Sequence, residues 1–488
     1  MDYELSILLF LPAVAGVLCG LLPQSQEQYA RWIALLGSVA ALVLSLVLFF
    51  QFDNDGGFQF VEKREWVDIG AFNLQYYLGV DGLSMPLVVL TTFLTVAAVL
   101  VSFSVETRQR LYFSMLMILS TSVLGVFMAL DFMLFFLFWE LELFPMFLLI
   151  AIFGSGRKEY SATKFVLYTI AGSAFMLVAI LILAFEAGTF DIVELGRTNL
   201  TDAIIPLGWV FLLLFIGFAV KLPAVPVHTW LPDAHGDAPT AVSVMLAGVL
   251  LKMGGYGLIR MCVTILPEQA EDYGIWMAGI GAVSVLYGAF VTLRQTDLKR
   301  LIAYSSVSHM GLVLLGVGAL GKTSMMGATY QMLAHGVITG MLFVCVGLMY
   351  ERTHTREIAR LGGLARQMPL IATGLVFAGF ASLGLPALAG FIAEVTVFLG
   401  SFQKYEWAVL MAIWGAVLSA GYILWMLQRV TFGPVKAEWN HLTDQRHWWE
   451  HSVTLGLAAL VILLGVYPSL MMDMIGPSLD PIIERLEA

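Results

Sequence analysis

Two stretches decide how this chain folds: Phe218-Ala-Val-Lys221-Leu-Pro223-Ala-Val-Pro226 and Ser382-Leu-Gly384-Leu-Pro386-Ala-Leu-Ala-Gly390. Each lies inside a long apolar run, contains Leu-Pro-Ala, and has an ionisable residue close by. Proline removes a backbone donor and clashes with the preceding turn, so each run is an interrupted helix. Backbone groups freed inside a bilayer must be satisfied by protein or by water in a cavity. Paired interruptions at corresponding places point to a binding or conduction site near the membrane midplane. A packing kink explains either proline cluster alone but not the matched pair.

Working outward, the composition is that of a membrane protein: 59% apolar and 12% charged, against roughly 25% charged in a soluble domain. Apolar runs of about 18 or more residues give about fourteen expected helices. They lie near 3–22, 31–52, 83–104, 111–130, 132–153, 163–186, 207–232, 239–261, 273–293, 300–319, 325–350, 368–399, 405–428 and 453–474. The fold class expected is an all-α polytopic membrane protein. Five helices separate the two interruptions, which predicts two copies of a five-helix unit, helices 4–8 and 9–13, with broken helices 7 and 12. An odd number of crossings per unit makes the second copy inverted. The chain then divides into residues 1–110 (helices 1–3), 111–262, 263–430, and 431–488 (connector and C-terminal helix). The first apolar stretch, Leu5–Leu22, lacks a basic leader and is expected to stay as a helix.

Positive charge sets the orientation. With the N-terminus outside, the inner connectors hold Arg31, Arg108, Arg110, Arg157, Lys158, Lys164, Arg294, Lys299, Arg300, Arg352, Arg356, Arg360, Arg366, Arg429, Lys436 and Arg446, which is 16. The outer set is Lys63, Arg64, Arg197, Arg260, Lys322, Lys404 and Arg485, which is 7. Both termini are therefore expected on the lumenal or periplasmic side. The two remaining cations, Lys221 and Lys252, sit inside apolar segments. A charge there costs at least ~2.5–3.5 kcal/mol, so such residues are functional candidates.

Glu140 and Glu394 are placed the same way. Glu140 lies in Phe135-Phe-Leu-Phe-Trp-Glu140-Leu-Glu142-Leu-Phe-Pro145 and is expected to face Lys221, with Glu142 about 200° away round a regular helix. A structural ion pair is the plainer alternative for Glu140, and snorkelling the plainer one for the lysines. His309, and His335 with Gln331 at i, i+4, are candidate proton carriers or interhelical hydrogen bonds. The segment Val227-His-Thr-Trp-Leu-Pro-Asp233-Ala-His235-Gly-Asp237 reads as a connector with helix stop and cap signals rather than a metal site. Cys19, Cys262 and Cys345 are isolated, which argues against iron–sulfur, zinc or disulfide chemistry in this chain. Together Glu140, Lys221, Lys252, His309, His335 and Glu394 form a proton relay spread over both copies.

Long motifs carry a resemblance: Trp139-Glu140, Lys221-Leu-Pro-Ala-Val-Pro-Val-His-Thr-Trp-Leu-Pro-Asp-Ala-His235, Leu251-Lys252-Met-Gly-Gly-Tyr-Gly-Leu, Ile302-Ala-Tyr-Ser-Ser-Val-Ser-His-Met-Gly311, Tyr350-Glu-Arg-Thr-His-Thr355 and Gly390-Phe-Ile-Ala-Glu394. The whole chain resembles chain 4, an antiporter-like membrane-arm subunit of complex I and of its photosynthetic counterpart. The resemblance implies a fourteen-helix fold and proton translocation coupled at a distance to quinone reduction. It matches Glu140 and Lys221 to a helix-5/helix-7 pair, Lys252 to a central lysine, His309 and His335 to connecting histidines and Glu394 to a helix-12 exit acid. Sister chains 2 and 5 carry lysine at that last place.

On this reading the chain is a subunit of a proton-translocating NAD(P)H:quinone oxidoreductase and holds no redox centre itself. NAD(P)H or ferredoxin, iron–sulfur clusters and quinone belong to partner subunits. Expected partners are the chain 2 and 5 homologues, small membrane subunits, a hydrophilic redox arm and lipid, with no nucleic acid. Several motifs lean toward cyanobacterial or chloroplast forms, hence plastoquinone and a thylakoid location, while Gly236-Asp-Ala-Pro-Thr-Ala leans toward a bacterial plasma membrane. The alternatives are the CO2-uptake (CO2 hydration) variant of the cyanobacterial complex, a multisubunit Na+/H+ antiporter or a membrane hydrogenase subunit.

Overall fold

The computed structural model describes residues 3–68, 73–198, 200, 204–444 and 447–487; Arg446 of the orientation count lies outside them. In lipid every backbone polar group must be paired within its own segment, and the apolar runs meet this demand as helices. Among the described residues, twelve helices are long and apolar enough to cross a membrane. In chain order the helices are α1 (Glu4–Leu21), α2 (Ala30–Gln51), α3 (Met85–Val101), α4 (Gln109–Met128), α5 (Phe132–Leu141), α6 (Leu143–Phe153) and α7 (Lys158–Ala187). Then follow α8 (Leu207–Lys221), α9 (Trp230–Asp237), α10 (Thr240–Val263), α11 (Pro267–Thr292), α12 (Leu298–Gly318) and α13 (Lys322–Thr353). The chain closes with α14 (Pro369–Ser382), α15 (Ala389–Phe402), α16 (Glu406–Val430), α17 (Trp448–Val466) and α18 (Ser469–Glu487). The apolar cores of α10 and α13 are buried all round, whereas those of α1 and α2 are only about a third buried. The first two are therefore the axis of the bundle, and the last two are peripheral.

Both interruptions fall where the prolines put them, between α8 and α9 and between α14 and α15. The internal repeat is visible in hydrogen bonding. Phe132 N–H donates to Phe190 O (2.8 Å) and Ile192 N–H to Leu130 O (2.9 Å), a bridge beside the helix cap Asp131. Leu298 N–H donates to Arg356 O (3.0 Å) and Ile358 N–H to Thr296 O (2.9 Å), the same bridge beside the helix cap Asp297. In each case the start of one helix is tied to the chain leaving the next long helix. The first bridge adjoins the 53–80 segment, with Leu130 N–H donating to Tyr77 O at 2.9 Å, and the second adjoins α9, with Arg356 Nη1 donating to Gly236 O at 2.5 Å.

Two features depart from the expectation. The segment 53–80 holds an antiparallel hairpin, β1 (Gln59–Asp68) and β2 (Asn73–Val80), with Lys63 opposite Tyr77, so the fold is not strictly all-α. Val61, Trp66, Val67, Tyr76 and Tyr77 supply the β-branched and aromatic side chains that favour a strand. Glu62 fastens β1 to the start of α1 by accepting from Leu5 N–H at 2.8 Å, and Lys63 pairs with Asp191 at 2.6 Å. The last membrane helix also ends at Val466, not at 474; Pro468 follows, and α18 begins as a separate helix. It turns Met474, Ile475, Leu479 and Ile482 inward, and Ser478 Oγ accepts from Gly82 N–H at 2.8 Å. The N-terminus, the hairpin and α18 thus share one face, here called the hairpin face.

Candidate functional site

Lys221 is the last residue of α8, where the unpaired carbonyls of a helix end favour a cation. The freed backbone groups of the break are accounted for within the protein. Trp230 Nε1 donates to Val220 O (2.9 Å), Ala224 N–H to Ala219 O (2.9 Å) and Val225 N–H to Ser284 Oγ (3.0 Å). The break is therefore a rigid, protein-lined feature. Gly254 of α10 lies against it: a Cβ there would sit 2.7 Å from Phe218 O and from Leu222 N. The glycine allows the central helix to touch the turn that carries Lys221.

Lys221 is buried and pairs with Glu142, which is also fully buried. This corrects the expectation that Glu142 is turned away and Glu140 alone faces the lysine. Pro145 has no N–H to bond to the carbonyl of Leu141, four residues back, yet Glu142 keeps helical backbone angles (φ −65°, ψ −26°), so the two glutamates do point apart and it is Glu142 that reaches the lysine. Glu140 remains within electrostatic reach of the Lys221 ammonium. Its Oε1 is buried without a hydrogen-bond partner among the described residues. The Lys221 ammonium also lies 5.3 Å from the Trp139 ring centroid and 5.5 Å from that of Phe165, so aromatic faces complete its surroundings.

Lys252 sits between two π-helical stretches of α10, Leu246–Leu250 and Leu258–Val263. Such bulges misalign carbonyls, and the Lys252 ammonium donates to one of them, Ala247 O. Lys252 Nζ also lies 2.8 Å from His335 Nδ1. A protonated lysine has no lone pair, so in that state Nδ1 is the acceptor and the ring proton is on Nε2. The His335 and His309 ring centroids are 5.6 Å apart, and His309 Nε2 lies 3.4 Å from Ser382 Oγ. Ser382 is the last residue of α14, at the second break. Beyond it, Gly384 adopts a left-handed φ of 78°, and a Cβ there would lie 2.8 Å from Glu394 Oε2. The buried Glu394 side chain thus folds back over the break.

The six residues expected from sequence are accordingly not one contact chain. Lys252 is bonded to His335 and His309 lies 3.4 Å from Ser382, but between the two imidazoles there is only ring proximity, and His335 Nε2 has no hydrogen-bond partner among the described residues. Glu394 lies across the break, and Glu140 and Lys221 form a separate cluster. Three participants escaped the sequence reading. Glu142 was set aside by the regular-helix argument. Tyr422 of α16 is fully buried beside Ser305 and Ser419, and Glu394 acts on its hydroxyl. His235, read as part of a connector, is fully buried in α9, stacked on Phe343 with ring centroids 4.6 Å apart. Lys252 and Lys299 both act on His235 electrostatically. Lys299, counted in a connector, is buried and donates to Ala238 O at 2.6 Å. Asp233 pairs with Lys164 (2.8 Å) and Arg300 (2.9 Å), and Asp237 accepts from Ser161 Oγ at 2.5 Å. Those carboxylates are committed to helix packing.

Residues 129–419, which contain both interruptions and every residue of the relay, match the family model described as NADH:quinone oxidoreductase/Mrp antiporter, transmembrane. The chain belongs to this family. It is 44% identical to NADH-quinone oxidoreductase subunit M of Rhodobacter capsulatus, covering 100% of this chain and 98% of that protein. It is 42% identical to NAD(P)H-quinone oxidoreductase chain 4 1 of Synechococcus elongatus, covering 95% and 88%. Among solved structures it is similar to a chain of respiratory complex I from Thermus thermophilus, with a TM-score of 0.89, 30% identity and 99% of each chain covered. The antiporter-like fold of the family, with its two interrupted helices, is the one described above.

Proposed function

We propose that this chain is a proton-translocating module in the membrane arm of a quinone oxidoreductase of the complex I type. The observation that carries the reading is the buried line Lys252–His335–His309–Ser382, which ends at a broken helix and faces Glu394 across the break. Uncompensated titratable groups in a bilayer mark ion pathways, and imidazole and ammonium groups exchange protons near neutrality. Counting each interrupted pair as one crossing gives fourteen, and the 16-to-7 charge bias supports the hairpin face as the outer one. The halves 111–262 and 263–430 then each carry one half of the path. NAD(P)H or ferredoxin, iron–sulfur clusters and quinone would be held by other subunits, and two sister antiporter-like chains would be this chain's partners in the membrane arm. Relatives named as NADH-quinone and as NAD(P)H-quinone oxidoreductase subunits are nearly equally similar, at 44% and 42% identity, so both donor types fit this reading.

The mechanism starts at Lys221. Its ammonium is paired with Glu142 and lies within electrostatic reach of Glu140, whose Oε1 has no hydrogen-bond partner among the described residues. A charge or conformational change in a neighbouring subunit that favours Glu140 over Glu142 alters the field at Lys252. Lys252 then passes its proton to His335, and His309 and Ser382 carry it to Glu394. Tyr422 is buried within electrostatic reach of Glu394 at the end of the path, so Tyr422→Phe slows proton translocation by ~3–10-fold, the worth of one hydroxyl interaction, with quinone reduction retained. An unchanged rate in vesicle acidification removes Tyr422 from the path.

The proposal is tested by purifying the chain with its native partners and measuring NAD(P)H- and ferredoxin-driven quinone reduction together with vesicle acidification. Redox-driven acidification is the expected result. The family also takes its name from Mrp antiporters. Partners lacking redox activity, with Na+/H+ exchange by the isolated membranes, would establish that reading instead.

A further inference from the structure

On the hairpin face, away from the relay, a cavity of about 220 Å³ is lined by Arg197, Arg260 and Arg485 with Asp81 as the one carboxylate among its walls. Arg260 is only 4% exposed; it pairs with Asp81, donates Nε–H to Tyr256 OH at 3.3 Å and lies 4.9 Å from the Phe58 ring centroid. Asp81 is already shared, since it also accepts from Leu83 N–H and Ser84 N–H, each at 3.1 Å, at the start of α3. Arg485, in the last turn of α18, donates from Nη1 to Thr264 O at 3.1 Å, and a carbonyl brings no charge. Glu194, the nearest acid in sequence to Arg197, accepts instead from Thr189 Oγ1 at 3.1 Å. Three guanidinium groups against one carboxylate leave the walls two positive charges in excess, in a recess with room for several water molecules. With Arg260 paired to Asp81, Arg197 and Arg485 are the charges left open to a ligand, and guanidinium forks match the oxygens of phosphate.

The depth of the recess agrees. Trp209, in the first turn of α8, is 65% exposed on the same face. Outward tryptophans at helix ends mark the headgroup level of a bilayer.

We propose that this recess binds a phosphate-bearing anion, either the headgroup of an anionic phospholipid or free phosphate, gripped by Arg197 and Arg485 and backed by Arg260. Bound at this place, the anion joins the loop before α8, the end of α10 and α18. The test uses the full chain, purified in neutral detergent with the subunits that accompany it, beside the Arg197→Gln/Arg485→Gln variant. Each is titrated with inorganic phosphate, and separately transferred to nanodiscs of phosphatidylcholine containing phosphatidylglycerol, and bound ligand is counted by native mass spectrometry. Both substituted residues lie on the surface outside the relay, so quinone reduction reports that the variant is intact. One phosphatidylglycerol retained by the parent and ~10-fold or more weaker in the variant assigns a lipid headgroup. Saturable binding of inorganic phosphate alone, with the same loss, assigns free phosphate. Equal ligand in parent and variant, or none in either, overturns the proposal.

Discussion

Lys221→Met abolishes proton translocation while the protein still assembles. Methionine keeps the length and packing of the lysine but removes the charge that Glu142 holds and Glu140 feels. The exchange of partners that starts each cycle then has nothing to move. Removing one member of a buried pair leaves the other uncompensated, at a cost on the order of 3–5 kcal/mol, so lost stability could imitate lost function. The Lys221→Met/Glu142→Gln double variant separates the two, because it leaves no unpaired charge between them. Subunit content on native gels should be normal in the double variant, with no acidification of vesicles in either. Normal acidification by Lys221→Met would refute the assigned role.

Lys252→Met has the second large effect. It takes the donor from Ala247 O in the π-helical stretch and the partner from His335 Nδ1, at the middle of the line. Losing a positioned proton carrier costs typically 100-fold or more in rate, so acidification falls by ~100-fold. The informative companion is Lys252→Arg. Arginine keeps the positive charge and can still bond to Ala247 O, but its guanidinium does not release a proton in the physiological range. A purely structural cation would be restored by arginine, whereas a proton carrier would not. Recovery of acidification in Lys252→Arg would therefore reduce Lys252 to a structural role.

How much of this was legible in the sequence follows from which physical rules act locally. The apolar runs and the two Leu-Pro-Ala breaks are local, and they placed the interruptions and most membrane helices within a few residues, the last helix being overrun past Val466. Lys221, Lys252, His309, His335 and Glu394 stood out because charge and imidazole are costly in lipid wherever they occur. Glu142 was misjudged because periodicity separates the two glutamates but does not say which of them faces Lys221; only the packing of α5 and α6 settles that. The π-helical stretches around Lys252 have no sequence signal of their own; Gly248, Gly254 and Gly257 permit them, but packing selects them. Tyr422 lies in an ordinary apolar helix, and only the approach of α15 to α16 brings it to Glu394. The hairpin could have been read from the alternation Leu74, Tyr76, Leu78, Val80, had the segment been weighed for strand as well as for loop. The burial of Arg260 and Lys299 depended on tertiary contacts with Asp81 and Ala238, which no local pattern announces.

The central claim, that protons cross through this chain toward Glu394, is tested most directly by the number of protons moved per electron pair. The complex carrying Glu394→Gln is reconstituted into vesicles, and quinone reduction and acidification are recorded together against the parent. A neutral amide of the same shape keeps the packing over Gly384 and cannot take the proton. The account predicts continued quinone reduction with a lower proton-to-electron ratio. An unchanged ratio would contradict it.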